Sequence, residues 1–75
     1  MPSVELFTAS WCAPCKRIKL YLSDLQKTYD IEVVDVDEHE DRASDVDKIP
    51  LWRCGDRELQ SSDRAKVESF LASLQ

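Results

Sequence analysis

No stretch of this 75-residue chain is apolar for long enough to span a bilayer, and the start shows no basic segment followed by an apolar one. Neither a membrane anchor nor a secretory leader is expected, which makes the cytoplasm the expected compartment. Positive charge is also scarce. Ten Lys and Arg stand against fifteen Asp and Glu, a net charge of −5 whose field repels phosphate backbones and sets nucleic acid aside as a partner. Cysteine occurs only three times. An odd count in a reducing compartment argues against a structural disulfide framework and for catalytic or metal-binding use. Repeats, linkers and low-complexity segments are lacking too, so one domain over residues 1–75 is expected. What remains is a globular composition, 43% hydrophobic and 33% charged, with room for one modest core complete in a single chain, hence a monomer.

The chemistry is concentrated in Trp11-Cys12-Ala13-Pro14-Cys15-Lys16. Two residues between thiols let both side chains meet across one turn, so the pair can close a small disulfide ring and reopen it without unfolding the chain. Val4 to Phe7 reads as a largely buried strand before it. After it, Ile18, Leu22, Leu25 and Tyr29 recur at helical spacing, which predicts a helix over about 13–27, with Pro14 in the first turn, where the missing N–H is tolerated. A thiol pair at a strand-to-helix junction points to redox use. Cys12 at the helix start would meet free backbone N–H groups and the positive end of the helix dipole, both of which favour thiolate, and it is the candidate nucleophile.

The β-branched run 31–37 predicts a second strand, completing a βαβ unit with parallel strands. The polar segment 38–48 offers only Ala43 and Val46 to bury and predicts a short helix ended by Lys48-Ile49-Pro50. Residues 51–54 and 57–60 read as a hairpin turning at Gly55-Asp56, because Gly55, the only glycine, suits the first position of a primed turn. Ser61 or Ser62 would cap a final helix over about 63–73, with Val67, Phe70, Leu71 and Leu74 on one face. Cys54, in a strand, is expected to be a buried apolar thiol. His39 and the acidic residues around it read as solvated surface. Lys16, Arg17 and Lys19 read either as solvated surface or as a docking patch that also supports the thiolate. Leu20, on the outer side of the helix, is a possible partner contact.

The segment 7–16, Phe7-Thr8-Ala9-Ser10-Trp11-Cys12-Ala13-Pro14-Cys15-Lys16, resembles the active site of the thioredoxin superfamily, with Ala13 where that family usually has glycine. Ile49-Pro50 falls where the family carries a cis-proline facing the thiols. The resemblance implies an α/β, minimal thioredoxin fold in the order β-α-β-α-β-β-α, a mixed four-stranded sheet flanked by helices. In length the chain is similar to short glutaredoxin-like redoxins, which lack the first strand and helix of full thioredoxins. It also departs from both groups. The position six before Cys12, a buried Asp in thioredoxins, is Leu6, and the accompanying lysine is replaced by Val33. Proton handling at Cys15 must then differ. Glutaredoxins have Tyr or Phe between the cysteines and a Gly-Gly element before the last helix, against Ala13-Pro14 and Ser61-Ser62-Asp63 here.

What the resemblance implies is a protein-disulfide reductase that needs no bound cofactor or metal and works through a redox-active Cys12–Cys15 couple. A mixed disulfide on Cys12 would be resolved by Cys15. In the family the attacking thiol titrates near ~7, against ~8.5 for free cysteine. Trp11, Ala13, Pro14, Lys16, Ile49 and Pro50 would form the substrate groove and support the thiolate. The implied partners are disulfide-containing proteins, with electrons from a flavin-dependent thioredoxin reductase or from glutathione and delivery to reductive enzymes such as ribonucleotide reductase. The alternatives are a glutathione-dependent glutaredoxin, a zinc module holding the metal on Cys12, Cys15, Cys54 and His39, and a redox-silent adaptor.

Overall fold

A computed structural model describes residues 2–75. Strand β1 (Ser3–Thr8) lies inside a four-stranded sheet of order β2-β1-β3-β4, with β2 (Asp30–Asp35) parallel to it and β3 (Leu51–Cys54) antiparallel. The hairpin from β3 to β4 (Arg57–Leu59) turns at Gly55, whose φ of 62° is the left-handed conformation that glycine adopts without a Cβ clash. Helices α1 (Ala13–Ile18), α2 (Leu22–Gln26) and α3 (Arg64–Ser73) complete the fold.

Register sorts the sheet into two unlike faces, because neighbouring residues on a strand point to opposite sides. Val4 lies beside Ile31, and Leu6 beside both Val33 and Trp52. Val4, Leu6, Ile31 and Trp52 pack with Ile18, Tyr21 and Leu25 of the helical layer and with Val67 and Leu71 of α3 into the main core. The opposite face is apolar only near the end of β1, where Phe7, Val34 and Leu51 gather Val36, Ala43, Val46 and Ile49. Its remainder is charged. Glu32, Glu5, Arg53 and Glu58 stand in one row across all four strands. Arg42 comes down from the long connection to bridge Glu5 and Glu32, donating to their carboxylates at 2.8 Å, while Arg53 binds Glu58 and Asp45 and lies over the Phe7 ring. The Arg42 guanidinium, by hydrogen bond first and charge second, holds the Glu32 carboxyl below its usual range.

The helix expected over 13–27 is two helices. It breaks at residues 19–21, where the Leu20 and Tyr21 N–H groups bond three residues back, to Arg17 and Ile18. Tyr21 is the cause: it is buried, and its hydroxyl donates to the Ser62 carbonyl at 2.7 Å, so the backbone turns to let the ring reach the last loop. Burial raises the Tyr21 phenol above its ordinary value, and Asp63 adds to the effect. The short helix expected over 38–48 is also absent; that segment is a series of turns with scattered bonds such as His39 N–H to Asp35 and Ala43 N–H to His39. Two apolar residues bury too little to hold a helix there, and Arg42 fastens the segment from its side chain instead.

Smaller corrections have local causes. Strand β2 ends at Asp35 rather than at residue 37, because the Asp35 carboxylate accepts the N–H groups of Asp37 and Glu38 and turns the chain. The cap of α3 is Asp63, whose carboxylate accepts the Lys66 N–H, and not Ser61 or Ser62. Replacing Asp63 by Ala is expected to lower stability by about 1 kcal/mol in a urea titration. No change in midpoint would show that the cap is idle. Cys54 is a free thiol, half-buried at the rim of the main core rather than enclosed by it.

Candidate active site

Strand β1 delivers the chain to the sheet's edge at Thr8, and a tight turn carries it into α1, with the Cys12 N–H bonding the Ala9 carbonyl at 3.2 Å. Cys12 is the N-cap of α1. Its backbone is extended, and its sulfur accepts the Cys15 N–H at 3.2 Å, so a thiol takes the place that Ser or Asp fills at other caps. Pro14, in the first turn of α1, fixes a helical φ between the two sulfurs. Cys12 and Cys15 are joined as a disulfide, with Cα atoms 5.2 Å apart.

Both sulfurs sit in an apolar setting. Cys12, Cys15 and Ala9 are buried together, with Val36 and Ile49 packed on them. Ile49 comes to this cluster from 34 positions beyond Cys15, and the peptide that joins it to Pro50 is cis. Ala13, Pro14 and Lys16 are exposed on the outer side of the pair. Trp11 is 66% exposed, yet its ring is held: the indole Nε1 donates to the Asp37 carboxylate at 2.8 Å.

Asp37 is the site residue that sequence reading missed, having been grouped with the acidic surface. A signal for it exists in the register. Thr8 lies beside Asp35 and the Val36 N–H bonds the Thr8 carbonyl, so the turns that follow the two strands start from neighbouring positions and Trp11 reaches Asp37 across them. Beneath the dithiol there is no acid. Thr8 is the only buried polar or charged residue among those described, and Leu6 belongs to the main core. Trp52, with its indole donating to the Ser61 carbonyl, belongs to the main core. Cys12, Cys15, Cys54 and His39 are not gathered: the described residues contain no cluster of three or more His, Cys, Asp or Glu fit to hold a metal.

A cystine at a helix N-terminus, apolar beneath, flanked by an anchored indole and covered by Val36 and Ile49, defines a thiol–disulfide exchange centre. The comparisons with known proteins agree. The thioredoxin family model matches residues 2–73. Thioredoxin from Sus scrofa is 43% identical over 78 residues, covering 91% of this chain and 74% of its own, and the Homo sapiens thioredoxin is 41% identical over the same shares. Mitochondrial thioredoxin 3 from Saccharomyces cerevisiae, in its oxidised form, superposes with a TM-score of 0.76 at 28% identity, over 93% of this chain and 76% of that one. Oxidised thioredoxin from Plasmodium falciparum shares the fold with a TM-score of 0.80, at 24% identity over 96% of this chain and 79% of that one.

The chain belongs to the thioredoxin family. Its activity is that of a protein-disulfide oxidoreductase, with the electrons carried on its own Cys12–Cys15 pair rather than on a cofactor. Members of the family act on disulfide-containing proteins and are re-reduced by thioredoxin reductase. No helix among the described residues is long and apolar enough to cross a membrane.

Proposed function

We propose that this protein, as a monomeric domain spanning its 75 residues, works in the cytoplasm as a reductant of protein disulfides, with Cys12 as nucleophile and Cys15 as resolving thiol. The observation that carries this is the Cys12 sulfur accepting the Cys15 N–H at the open end of α1. A hydrogen bond and a helix end that favour negative charge stabilise the thiolate over the thiol. The thiolate attacks one sulfur of the substrate disulfide, and the other leaves as a thiolate that takes a proton. Cys15, deprotonated in turn, attacks the Cys12 sulfur of the mixed disulfide and expels the second substrate thiol. Two electrons have then passed to the substrate and the Cys12–Cys15 bond has formed. With no buried carboxylate beneath the pair, the proton of Cys15 leaves to water or to the departing sulfur.

Trp11, Ala13, Pro14, Ile49 and Pro50 would form the groove that seats the substrate backbone, with Lys16 adding positive potential. Electrons are assigned to a flavin-dependent thioredoxin reductase rather than to glutathione. The start of α3, where a glutathione carboxylate would seek free N–H groups, is already capped by Asp63, whose own N–H is held by the Ser61 hydroxyl. Delivery to reductive enzymes such as ribonucleotide reductase follows from the resemblance to short redoxins. The test mixes oxidised protein with NADPH and a thioredoxin reductase, or with glutathione and glutathione reductase, and follows NADPH consumption during insulin reduction. Reduction by the flavoenzyme at least about tenfold faster is expected; preference for glutathione would make the protein a glutaredoxin.

A further inference from the structure

Fifteen acidic side chains serve ten basic ones, yet the basic residues nearest the dithiol have no carboxylate partner. Lys27, Arg42, Arg53 and Arg64 sit in ion pairs, Arg57 is held by Ser73, and Lys48 and Lys66 stand singly without an ion pair among the described residues. Lys16, Arg17 and Lys19 are exposed and paired with none of the described residues. Their arrangement is ordered. Ala13, Lys16 and Arg17 share the outward face of α1, opposite the buried Cys15 and Ile18, and the exposed Lys19 and Leu20 follow at once in the turn that ends the helix, so the five make one outward strip. The strip starts at Ala13, between the two cysteines, and at about 1.5 Å per residue its helical part reaches roughly 6 Å to Arg17.

Leu20 is 86% exposed, more than Trp11 or Val33, the other exposed large apolar side chains. A lone exposed leucine has no special meaning, and two cations in the last turn suit a helix C-terminus. Those two facts account for these residues one at a time, Lys19 as the C-cap included, and they leave unexplained why three neighbouring exposed cations have no acid of this acid-rich chain turned toward them.

We propose that this strip is a docking surface for an acidic polypeptide segment flanking the disulfide that a protein substrate presents to Cys12. The proposal rests on the oxidoreductase reading and adds a substrate class to it. Unpaired cations break no internal ion pair when a partner's carboxylates arrive. Elsewhere the net charge of −5 repels an acidic partner, and on the Trp11 side Asp37 does so at close range. The acidic flank is thereby steered to α1, which sets the orientation of the substrate across the sulfurs.

The test uses the reduced full chain and three peptides with one intramolecular disulfide, flanked by three Glu, three Ser or three Lys. The second-order rate constant for oxidation of the protein is measured at low and high salt. The Glu peptide is expected to react on the order of tenfold faster than the Lys peptide at low ionic strength, the gap closing in about 0.5 M salt. The double variant Arg17→Glu/Lys19→Glu should invert the preference, and Arg17→Gln/Lys19→Gln should erase it. Lys27→Glu/Lys66→Glu, which changes net charge equally at a distance from the sulfurs, should retain it. Equal rates for the Glu and Lys peptides, or a preference that survives the Arg17/Lys19 changes, overturn the proposal. A parent protein unreactive toward bis(2-hydroxyethyl) disulfide instead overturns the oxidoreductase reading itself.

Discussion

Replacing Cys12 by Ser is expected to lower the rate of insulin reduction at least about a thousandfold, because a hydroxyl at the α1 cap stays protonated at neutral pH and forms no disulfide. Cys15→Ser should lose turnover by a similar factor for a different reason. Its Cys12 still attacks, but nothing resolves the product, so a stoichiometric mixed disulfide with the substrate accumulates and is seen by mass spectrometry as a covalent complex that dithiothreitol releases. The two variants therefore separate the roles. A covalent complex on Cys12→Ser, or free turnover by Cys15→Ser, would reverse or dissolve the assignment. Cys54 supplies the control, since it sits half-buried in β3 and outside the cluster around the cystine. Cys54→Ala should leave both outcomes in place.

Trp52→Ala is expected to be the most damaging single change to the fold. Trp52 has no exposed surface, lies beside Leu6 on one side and Leu59 on the other, and anchors the last loop by donating its indole N–H to the Ser61 carbonyl. Emptying such a site removes about 3–5 kcal/mol. A domain of this size holds roughly 4–11 kcal/mol in all, so a large part of the stability goes. The thermal midpoint should fall by roughly 15–30 °C, or the chain should be unfolded at room temperature. Trp52→Phe, which keeps most of the apolar volume and loses the N–H, should cost about 1–2 kcal/mol. A loss under about 1 kcal/mol for the alanine variant would mean that the core closes without the indole. The remaining Trp11, exposed beside the sulfurs, then reports on oxidation state while circular dichroism follows unfolding.

Features set by neighbours in sequence were legible before the structure. The cystine at the strand-to-helix junction depends on a spacing of three and on Pro14, and the hairpin depends on Gly55, the one residue free to take a positive φ there. Features set by distant partners were not. The break in the first helix answers to a Tyr21 contact 41 residues away, which a count of apolar spacing never senses. Arg42 looked like one more charge in a polar run, yet its partners are Glu5 and Glu32 on two strands. Asp37 looked like solvated surface for the same reason, its role depending on the register of two parallel strands. Asp63 and not an adjacent serine caps the helix because its carboxylate reaches the Lys66 N–H, while the Ser61 hydroxyl is spent on the Asp63 N–H. Chemistry was read from local spacing, and the supports around it came from tertiary contacts.

Strand β2 closes one margin of the sheet, and no strand among the described residues lies beyond it. An open margin is a template on which a second molecule can add its own strand, the route by which folded sheets stack into fibrils. Here Asp30 and Asp35 stand at the two ends of that margin, Glu32 between them is held by Arg42, and the Ile31 carbonyl is occupied by the Gln26 amide. Two copies meeting edge to edge would press carboxylate against carboxylate. The acid excess that first looked like plain solvation thus guards this border, keeping a small sheet from growing.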